Sequence, residues 1–322
     1  MGLFLFLVLI NDAGFSGQVN NAGDLITHKK KIKEMNVIHL KYVDDLVLAE
    51  TINMNTQLSS VPLTERPQPD AFRARTGHQL ETESSLVYRQ LKQIQNYAEV
   101  NKMKLNVHKT KLMLFNPCRT KDFMPEMKLN GTRIDLVEQS KLLGVILTSN
   151  LSWSANTEFV IQKCNKKTWM LRRLKKLGTR QDDLIDVFVK QIRSIAEFAV
   201  PVWNSSLTGE EISSLERIQK TALHIILGDQ YHSYSSALRT KGLVKLSERR
   251  RNICKKFAKK AQKHSKFSKW FRPNPRKEIR LKQPKFCTVV CKKQRFKKSP
   301  LSYLTNLLNS KLSNYFNCDS EL

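Results

Sequence analysis

The chain has 322 residues and carries 56 Lys and Arg against 28 Asp and Glu, a formal net charge of +28 at pH 7. This cationic excess predicts a polyanionic partner, with nucleic acid as the first expectation. No apolar run approaches the roughly 20 residues of a membrane-spanning helix. The six scattered cysteines are too sparse for a disulfide framework and favour a reducing compartment.

The first ten residues are almost wholly apolar. They have the length of a signal-peptide core but lack the positive charges that precede such a core. A signal peptide is therefore the alternative interpretation of this segment, and a buried helix of the fold is preferred.

An acidic pair, Asp44 and Asp45, lies between two apolar stretches within residues 38–50. This pattern predicts a β-hairpin with the two aspartates at its tight turn. Two carboxylates at a hairpin tip can hold a divalent metal, which phosphoryl and nucleotidyl transfer require. The alternative is an ordinary surface turn, where Asp is common because its side chain bonds the local backbone.

The next hundred residues alternate between loop, helix and strand patterns. Residues 51–84 are polar and contain three prolines, which predicts a surface loop. Residues 85–99 have apolar side chains near helical spacing, so we expect an amphipathic helix that packs under a sheet. Strands are predicted over 103–116 and 126–149.

Two lysines and a glycine stand out in these predicted strands. Lys109 and Lys111 alternate with small and apolar residues, and lysines there could offset phosphate charge. The alternative is a solvated edge strand, where lysines discourage pairing with other chains. Gly144 lies between apolar β-formers and permits a bulge or a close backbone approach, although an ordinary core strand is an equal interpretation.

A long helix is predicted over 156–177, closed by Gly178. Its inner face is expected to consist of Phe159, Val160, Cys164, Thr168 and Leu171. Six cations crowd its far end: Lys166, Lys167, Arg172, Arg173, Lys175 and Lys176. Cations at a helix C-terminus add roughly a few tenths of a kcal/mol each, but six in eleven residues exceed that need and favour contact with a nucleic-acid backbone. Amphipathic helices at 181–199 and at 210–227, the latter capped by Gly228, complete a small bundle.

The cationic surplus is densest near the C-terminal end, where residues 231–322 contain 25 Lys and Arg against 4 Asp and Glu. The first of these clusters comprises Arg249, Arg250, Arg251, Lys255 and Lys256. Aromatic residues are interleaved with the cations, which suits phosphate contact together with base stacking. The alternatives are a disordered basic tail and a nuclear-import signal.

The C-terminal end carries two further local signals. Cys287 and Cys291 have a spacing seen in zinc sites, but no second ligand pair completes the pattern. Ser299 and Pro300 suit the N-cap and the first position of a last helix over 300–315.

These segments together resemble the reverse transcriptase of non-LTR (jockey-like or LINE-like) retrotransposons. Six of them carry the resemblance in the family's order: residues 3–12, 42–45, 101–111, 141–147, 192–203 and 215–220. The first is similar to the helix that follows the family's glycine-rich motif, and the second falls where its catalytic hairpin is expected. Residues 101–111 resemble the next palm motif, and 141–147 resemble the primer-grip hairpin.

The resemblance implies an α+β fold in three parts. A partial polymerase palm, with a β-hairpin and a small antiparallel sheet with helices, is expected over 1–153. An all-α, thumb-like bundle follows over 154–230, and a basic C-terminal region over 231–322. The implied activity is RNA-directed DNA polymerisation in the nucleus or cytoplasm, with RNA and DNA as template and primer and dNTP as the only small-molecule substrate.

The resemblance also assigns roles to single residues. Asp44 and Asp45 are implied to be catalytic ligands of Mg²⁺ or Mn²⁺. The residues implied to lie near the nucleotide or primer are Tyr42, Lys109, Lys111, Leu143 and Gly144. The family uses a third aspartate on an earlier strand, and no segment resembling that strand precedes Asp44 in this sequence.

Two carboxylates are expected to hold metal weakly or not at all, so this polypeptide alone is expected to be inactive as a polymerase. The alternatives are a non-catalytic, basic nucleic-acid-binding protein and a non-functional retroelement relic.

Overall fold

A computed structural model describes residues 3–10, 38–42, 45–53, 86–115, 127–275, 285–288 and 294–310. The fold is mixed α and β, as predicted, and it divides into two units, Met1–Ser152 and Trp153–Leu322. The expected division between residues 230 and 231 has no counterpart in these units, because helices on both sides of that point share one core.

Strands dominate the described part of the first unit, with one helix among them. They are β1 (Leu3–Ile10), β2 (Ile38–Tyr42), β3 (Asp45–Asn53), helix α1 (Leu86–Val100), β4 (Lys111–Phe115), β5 (Lys128–Leu129), β6 (Thr132–Arg133), β7 (Asp135–Leu136), β8 (Gln139–Leu142) and β9 (Val145–Thr148). Five of them form one sheet in the order β2-β3-β1-β4-β7. Adjacent strands of this sheet are antiparallel, except that β4 and β7 are parallel. The pairs β5–β6 and β8–β9 form two separate two-stranded sheets.

The apolar N-terminal segment is a strand, so the helix expected over residues 3–12 was wrong. β1 pairs with β3 along its whole length, from Leu3 opposite Asn53 to Ile10 opposite Leu46, and with β4 on its other side. Eight consecutive apolar residues have no helical period, and such a run is typical of a central strand in a sheet covered on both faces. The resemblance favoured a helix here, and the local pattern could not decide the question.

The sheet has a hydrophobic cluster on each face. Leu48 packs in one cluster with Val87 and Leu91 of α1, which confirms the predicted amphipathic helix. Its neighbour Val47 belongs to a second cluster, against which Leu147 of β9 packs. Because adjacent residues of a strand face opposite ways, α1 and the β8–β9 hairpin cover opposite faces of the sheet.

The described part of the second unit is almost wholly helical. Its α-helices are α2 (Ser154–Lys176), α3 (Gln181–Val187), α4 (Ser194–Ala196), α5 (Val200–Trp203), α6 (Gly209–Leu227), α7 (Tyr234–Thr240), α8 (Leu246–Lys263), α9 (Gln294–Lys297) and α10 (Pro300–Asn309). A π-helical segment, Phe188–Arg193, joins α3 to α4. The predicted helix over 181–199 is therefore a composite that ends at Ala196.

Local capping chemistry explains where the long helices end. After α2, Gly178 adopts φ +79°, and the Thr179 N–H donates to the Leu174 carbonyl, a Schellman closure that only glycine enters freely. α6 begins with a capping box, in which Thr208 and Glu211 each accept the other's backbone N–H. α10 begins at Pro300 with Ser299 as its N-cap, as predicted.

The bundle core confirms most of the predicted inner face of α2. Cys164 and Leu171 are fully buried in it, whereas Phe159 is only half-buried. α8 contributes Cys254 and Ala258 to the same core. Residues 246–263 are thus an amphipathic helix of the bundle, so the interpretation as a disordered tail does not hold for them.

One carboxylate connects three helices of this bundle. Glu216 of α6 accepts the N–H groups of Leu246 (2.8 Å) and Ser247 (2.9 Å), and it also accepts the hydroxyl of Tyr234 on α7. A negative charge at these first N–H groups of α8 is favourable because they carry the positive end of the helix dipole. Burial and this hydrogen bond raise the pKa of Tyr234.

Candidate nucleic-acid interface

The predicted hairpin at the acidic pair is present. β2 and β3 are antiparallel, and Tyr42 and Asp45 form the pair that closes their connection. Asp44 and its neighbour Val43 lie outside the described residues. The metal-binding roles of Asp44 and Asp45 therefore stay predictions.

The sheet register brings several strand ends to the edge that carries this hairpin connection. β3 begins at Asp45, and β1 ends at Ile10 opposite Leu46. β4 begins at Lys111 opposite Leu9 of the same strand. Adjacent strands lie about 4.8 Å apart, so the backbone at Lys111 is about 10 Å across the sheet from β3. Segments far apart in the sequence thus share one edge.

Lys111 is already held by a carboxylate at this edge. Its Nζ donates to Oδ2 of Asp135 at 2.7 Å, at the point where β7 pairs with β4. The hydrogen bond and the positive charge of Lys111 hold the pKa of Asp135 below its ordinary value of 3.8. Any phosphate that approached Lys111 would have to compete with this carboxylate.

The residues before Lys111 form a turn, so the strand predicted from residue 103 was wrong at its beginning. The side chain of Asn106 accepts the Lys109 N–H at 3.1 Å, and the buried Thr110 hydroxyl donates to the Asn106 carbonyl at 2.8 Å. An asparagine that bonds the backbone ahead of it stabilises a turn over an extended chain. Lys109 is exposed on this turn.

Leu143 and Gly144 are the two turn residues of the β8–β9 hairpin, which Leu142 and Val145 close. Their φ angles are +47° and +85°, the positive values that a type I′ turn requires. Gly144 therefore serves the turn rather than a bulge or an ordinary core strand. Leu143 adopts this conformation at a steric cost and is 47% exposed.

A strongly cationic surface lies on α2. This helix carries seven Lys and Arg and a single acidic residue, Glu158. Lys166, Trp169, Arg173 and Lys176 recur at intervals of three and four residues and line one side of the helix, which we call the α2 stripe. All four are exposed, and at 100° per residue they lie opposite the face that Cys164 and Leu171 bury.

Trp169 was not predicted as a binding residue. It is 63% exposed, and the Arg173 guanidinium lies 5.9 Å from its ring centroid, within range of a cation–π contact. The available signal was its helical phase, because Trp169 is a large aromatic placed on the polar side of an amphipathic helix. Exposed Trp between cations is typical of a binding surface rather than of a core.

Two other cations of α2 lie off this stripe and are exposed, Lys167 and Arg172. Lys175 faces the bundle, and its Nζ donates to the Ile226 carbonyl at 2.8 Å, near the end of α6. A cation at the carbonyl end of a helix is a stabilising arrangement. Lys175 therefore has a structural task that the cation count alone did not reveal.

The α8 cations also separate into inner and outer groups. Arg250 is only 1% exposed; its Nε donates to Asn204 Oδ1 at 3.0 Å, and burial lowers its pKa. The Arg249 Nε lies 2.6 Å from Glu197 Oε1. Arg250 is therefore inaccessible to a phosphate, and Arg249 is already paired with a carboxylate.

The outer cations of α8 include Arg251, Lys255 and Lys256. Arg251 and Lys256 are exposed, and Lys255 is half-buried. These three are the predicted nucleic-acid contacts of this helix that remain accessible.

Metal-binding geometry is not found in the part of the chain that the structure describes, where no group of three or more His, Cys, Asp or Glu side chains could hold an ion. Cys287 is exposed, and its thiol lies 3.4 Å from the Pro273 carbonyl; Cys291 lies outside the described residues. The Mg²⁺ or Mn²⁺ prediction stays a prediction.

Among the described helices, none is long and apolar enough to cross a membrane. Comparison with known protein families, curated proteins and solved structures finds no match for this chain.

Proposed function

We propose that this chain binds a template–primer duplex as the palm and thumb part of a non-LTR reverse transcriptase. The observation that carries the proposal is the α2 stripe, where three exposed cations and an exposed tryptophan lie opposite the buried face of one helix. In the proposed complex this stripe lies along the sugar–phosphate backbone.

The charge on the stripe exceeds what helix stability requires. Lys175 already stabilises the end of α6. A single cation in the last turn of α2 is enough for a favourable interaction with the dipole of that helix. The single acidic residue of α2, Glu158, accepts a hydrogen bond from Gln162 and lies two turns from Lys166. A polyanion would relieve the mutual repulsion of the remaining cations.

In the first unit, the support for the polymerase part of the proposal is the pairing register of the strands. Tyr42 and Asp45 close a hairpin at the same edge of the sheet as Lys111, the arrangement that the resemblance implies for a nucleotide-transfer site. The hairpin supplies two carboxylates, and the resemblance implies three. We therefore expect the 322-residue polypeptide to bind template–primer without extending it.

Binding is tested by fluorescence anisotropy with a labelled primer annealed to an RNA template, over a range of salt concentrations. The variant Lys166→Gln/Arg173→Gln/Lys176→Gln should weaken binding and make the log–log salt dependence shallower by about 0.9 for each phosphate that the variant no longer neutralises. The matched control removes three exposed cations from elsewhere in this unit: Arg217→Gln/Arg239→Gln/Lys245→Gln. Equal losses of affinity in both variants would contradict a role for the stripe.

Catalysis is tested by primer extension with Mg²⁺, using Asp44→Asn as the control. Absence of extension, together with stripe-dependent binding, is the expected result and favours a non-catalytic binding protein of reverse transcriptase ancestry. Extension that Asp44→Asn abolishes would contradict the expected inactivity and would mean that a third carboxylate completes the site.

A further inference from the structure

A cationic cavity of about 600 Å³ lies in the second unit. Its lining residues fall between 269 and 306 in the sequence, well after the α2 stripe. The short 3₁₀ turn Ser268–Trp270, residues 287 and 288, and helices α9 and α10 contribute to its wall. Three cations line it, namely Lys269, Arg272 and Lys297, and no described lining residue is acidic. Its volume falls within the range of about 300–1,000 Å³ that is usual for small-ligand sites.

The base of this cavity is firmly built. Cys287 donates its N–H to the Arg272 carbonyl at 2.9 Å, so the two lining segments are joined by a backbone bridge. Asn309 of α10 accepts the Phe286 N–H at 2.9 Å and donates to the Phe286 carbonyl at 3.0 Å. The Phe286 ring is buried against Phe271. These contacts fix the backbone of the lining segments before a ligand arrives.

Trp270 gives the cavity an aromatic wall. It is 47% exposed although its ring lies 4.8 Å from that of Phe267, which in turn lies 4.9 Å from His264. The aromatic row fixes the indole from one side and leaves much of it open. Ser302, in the first turn of α10, adds a hydroxyl to the lining.

We infer that this cavity holds one nucleotide of a single-stranded nucleic acid, with its base on Trp270 and its phosphate against the lining cations. A planar base stacks on an indole whatever its sequence, and cations bind the adjoining phosphate. A purely anionic ligand would make no use of the exposed Trp270 ring, and an uncharged aromatic ligand would make no contact with the charges of the lining cations. The inference extends the proposed nucleic-acid binding from paired to unpaired strands.

The first test is photo-cross-linking with an oligouridine of about eight nucleotides that carries 5-iodouridine, because this base cross-links to the aromatic ring on which it stacks. Mass spectrometry of the full chain should place the cross-link on Trp270. Cross-links confined to peptides without Trp270 would overturn the inference. This readout uses the unmutated protein, so it does not depend on the folding of a variant.

The second test measures oligouridine affinity by anisotropy. Trp270→Leu should weaken binding on the order of tenfold. Lys269→Gln/Arg272→Gln/Lys297→Gln should make the salt dependence shallower by about 0.7 for each phosphate that is no longer neutralised. The charge-matched control is Lys259→Gln/Lys260→Gln/Lys263→Gln on α8, whose side chains do not line the cavity and should leave the affinity for oligouridine less affected.

Two outcomes separate this inference from alternatives. If uridine monophosphate displaces the oligonucleotide at equal concentration, the cavity takes free nucleotides and the inference of a strand site is overturned. If the α2 stripe variant keeps full duplex affinity while Trp270→Leu loses affinity for oligouridine, the proposed function fails and the cavity inference stands. The opposite pair of results leaves the stripe supported and overturns the cavity inference.

Discussion

Leu143 has a backbone conformation that is unfavourable for a residue with a side chain. Its φ of +47° places a leucine in the left-handed region, which costs roughly 1–2 kcal/mol for most L-residues. Asparagine tolerates this conformation, and Asn-Gly is the preferred pair in a type I′ turn. Because an exposed leucine occupies this strained position, we expect the tip of the β8–β9 hairpin to contact a binding partner.

Leu143→Asn should therefore raise the free energy of unfolding by about 0.5–1 kcal/mol, measured by urea denaturation. If the tip contacts the primer, the same variant should bind template–primer less tightly although it is more stable. Leu151→Asn is the matched control, since Leu151 is also exposed with a φ of +56° but lies outside the hairpin. A variant that loses both stability and affinity would contradict the assignment of strain to residue 143.

Burial separates the cysteines by reactivity. It raises the pKa of Cys164 to about 12 and that of Cys254 to about 11, so both remain neutral thiols at pH 8. Cys287 is exposed. Among these three, iodoacetamide at pH 8 should alkylate Cys287 in the folded protein, and Cys164 and Cys254 only as the bundle unfolds, which peptide mass spectrometry can follow. Equal alkylation rates for the three thiols in the folded protein would contradict the packing of α2 and α8. The protein unfolded in urea provides the reference in which all three thiols are accessible.

At the scale of elements, Glu216 makes a prediction about helix junctions. Glu216→Gln keeps the size of the side chain but removes the charge that the first N–H groups of α8 contact. We expect a loss of about 1–3 kcal/mol in the free energy of unfolding, measured by urea denaturation. Glu210→Gln, an exposed carboxylate on the same helix, is the control and should change stability by less than about 0.5 kcal/mol.

The helices were predictable because their signals are local. Gly178 and Ser299 mark ends that are decided by a few neighbouring residues, and the structure places them there. The apolar segment of β1 was not predictable, since a continuous apolar run suits a buried helix and a central strand alike, and only its partners decide. Arg250 illustrates the same limit within the candidate site, because a cation in a basic run gives no sign that it points into a core.

At the scale of the whole molecule, the core of the second unit can be considered by itself. This core draws on α2, α6, α8 and α10, and all of its described residues lie within Trp153–Leu322. We expect a fragment of residues 153–322 to fold alone, with helical circular dichroism and a single cooperative thermal transition. A fragment that melts without a transition would show that the first unit is needed to stabilise the bundle.

The central position of β1 has a consequence for synthesis of the protein. Its eight apolar residues are translated about 100 residues ahead of its partner β4, which ends at Phe115. At 5–20 residues per second, the segment waits roughly 5–20 s for that partner to be translated. During this interval an uncharged, β-forming run is free to pair with the same run on a neighbouring nascent chain. Dense ribosome loading should therefore lower the yield of folded protein, and slow initiation should restore it.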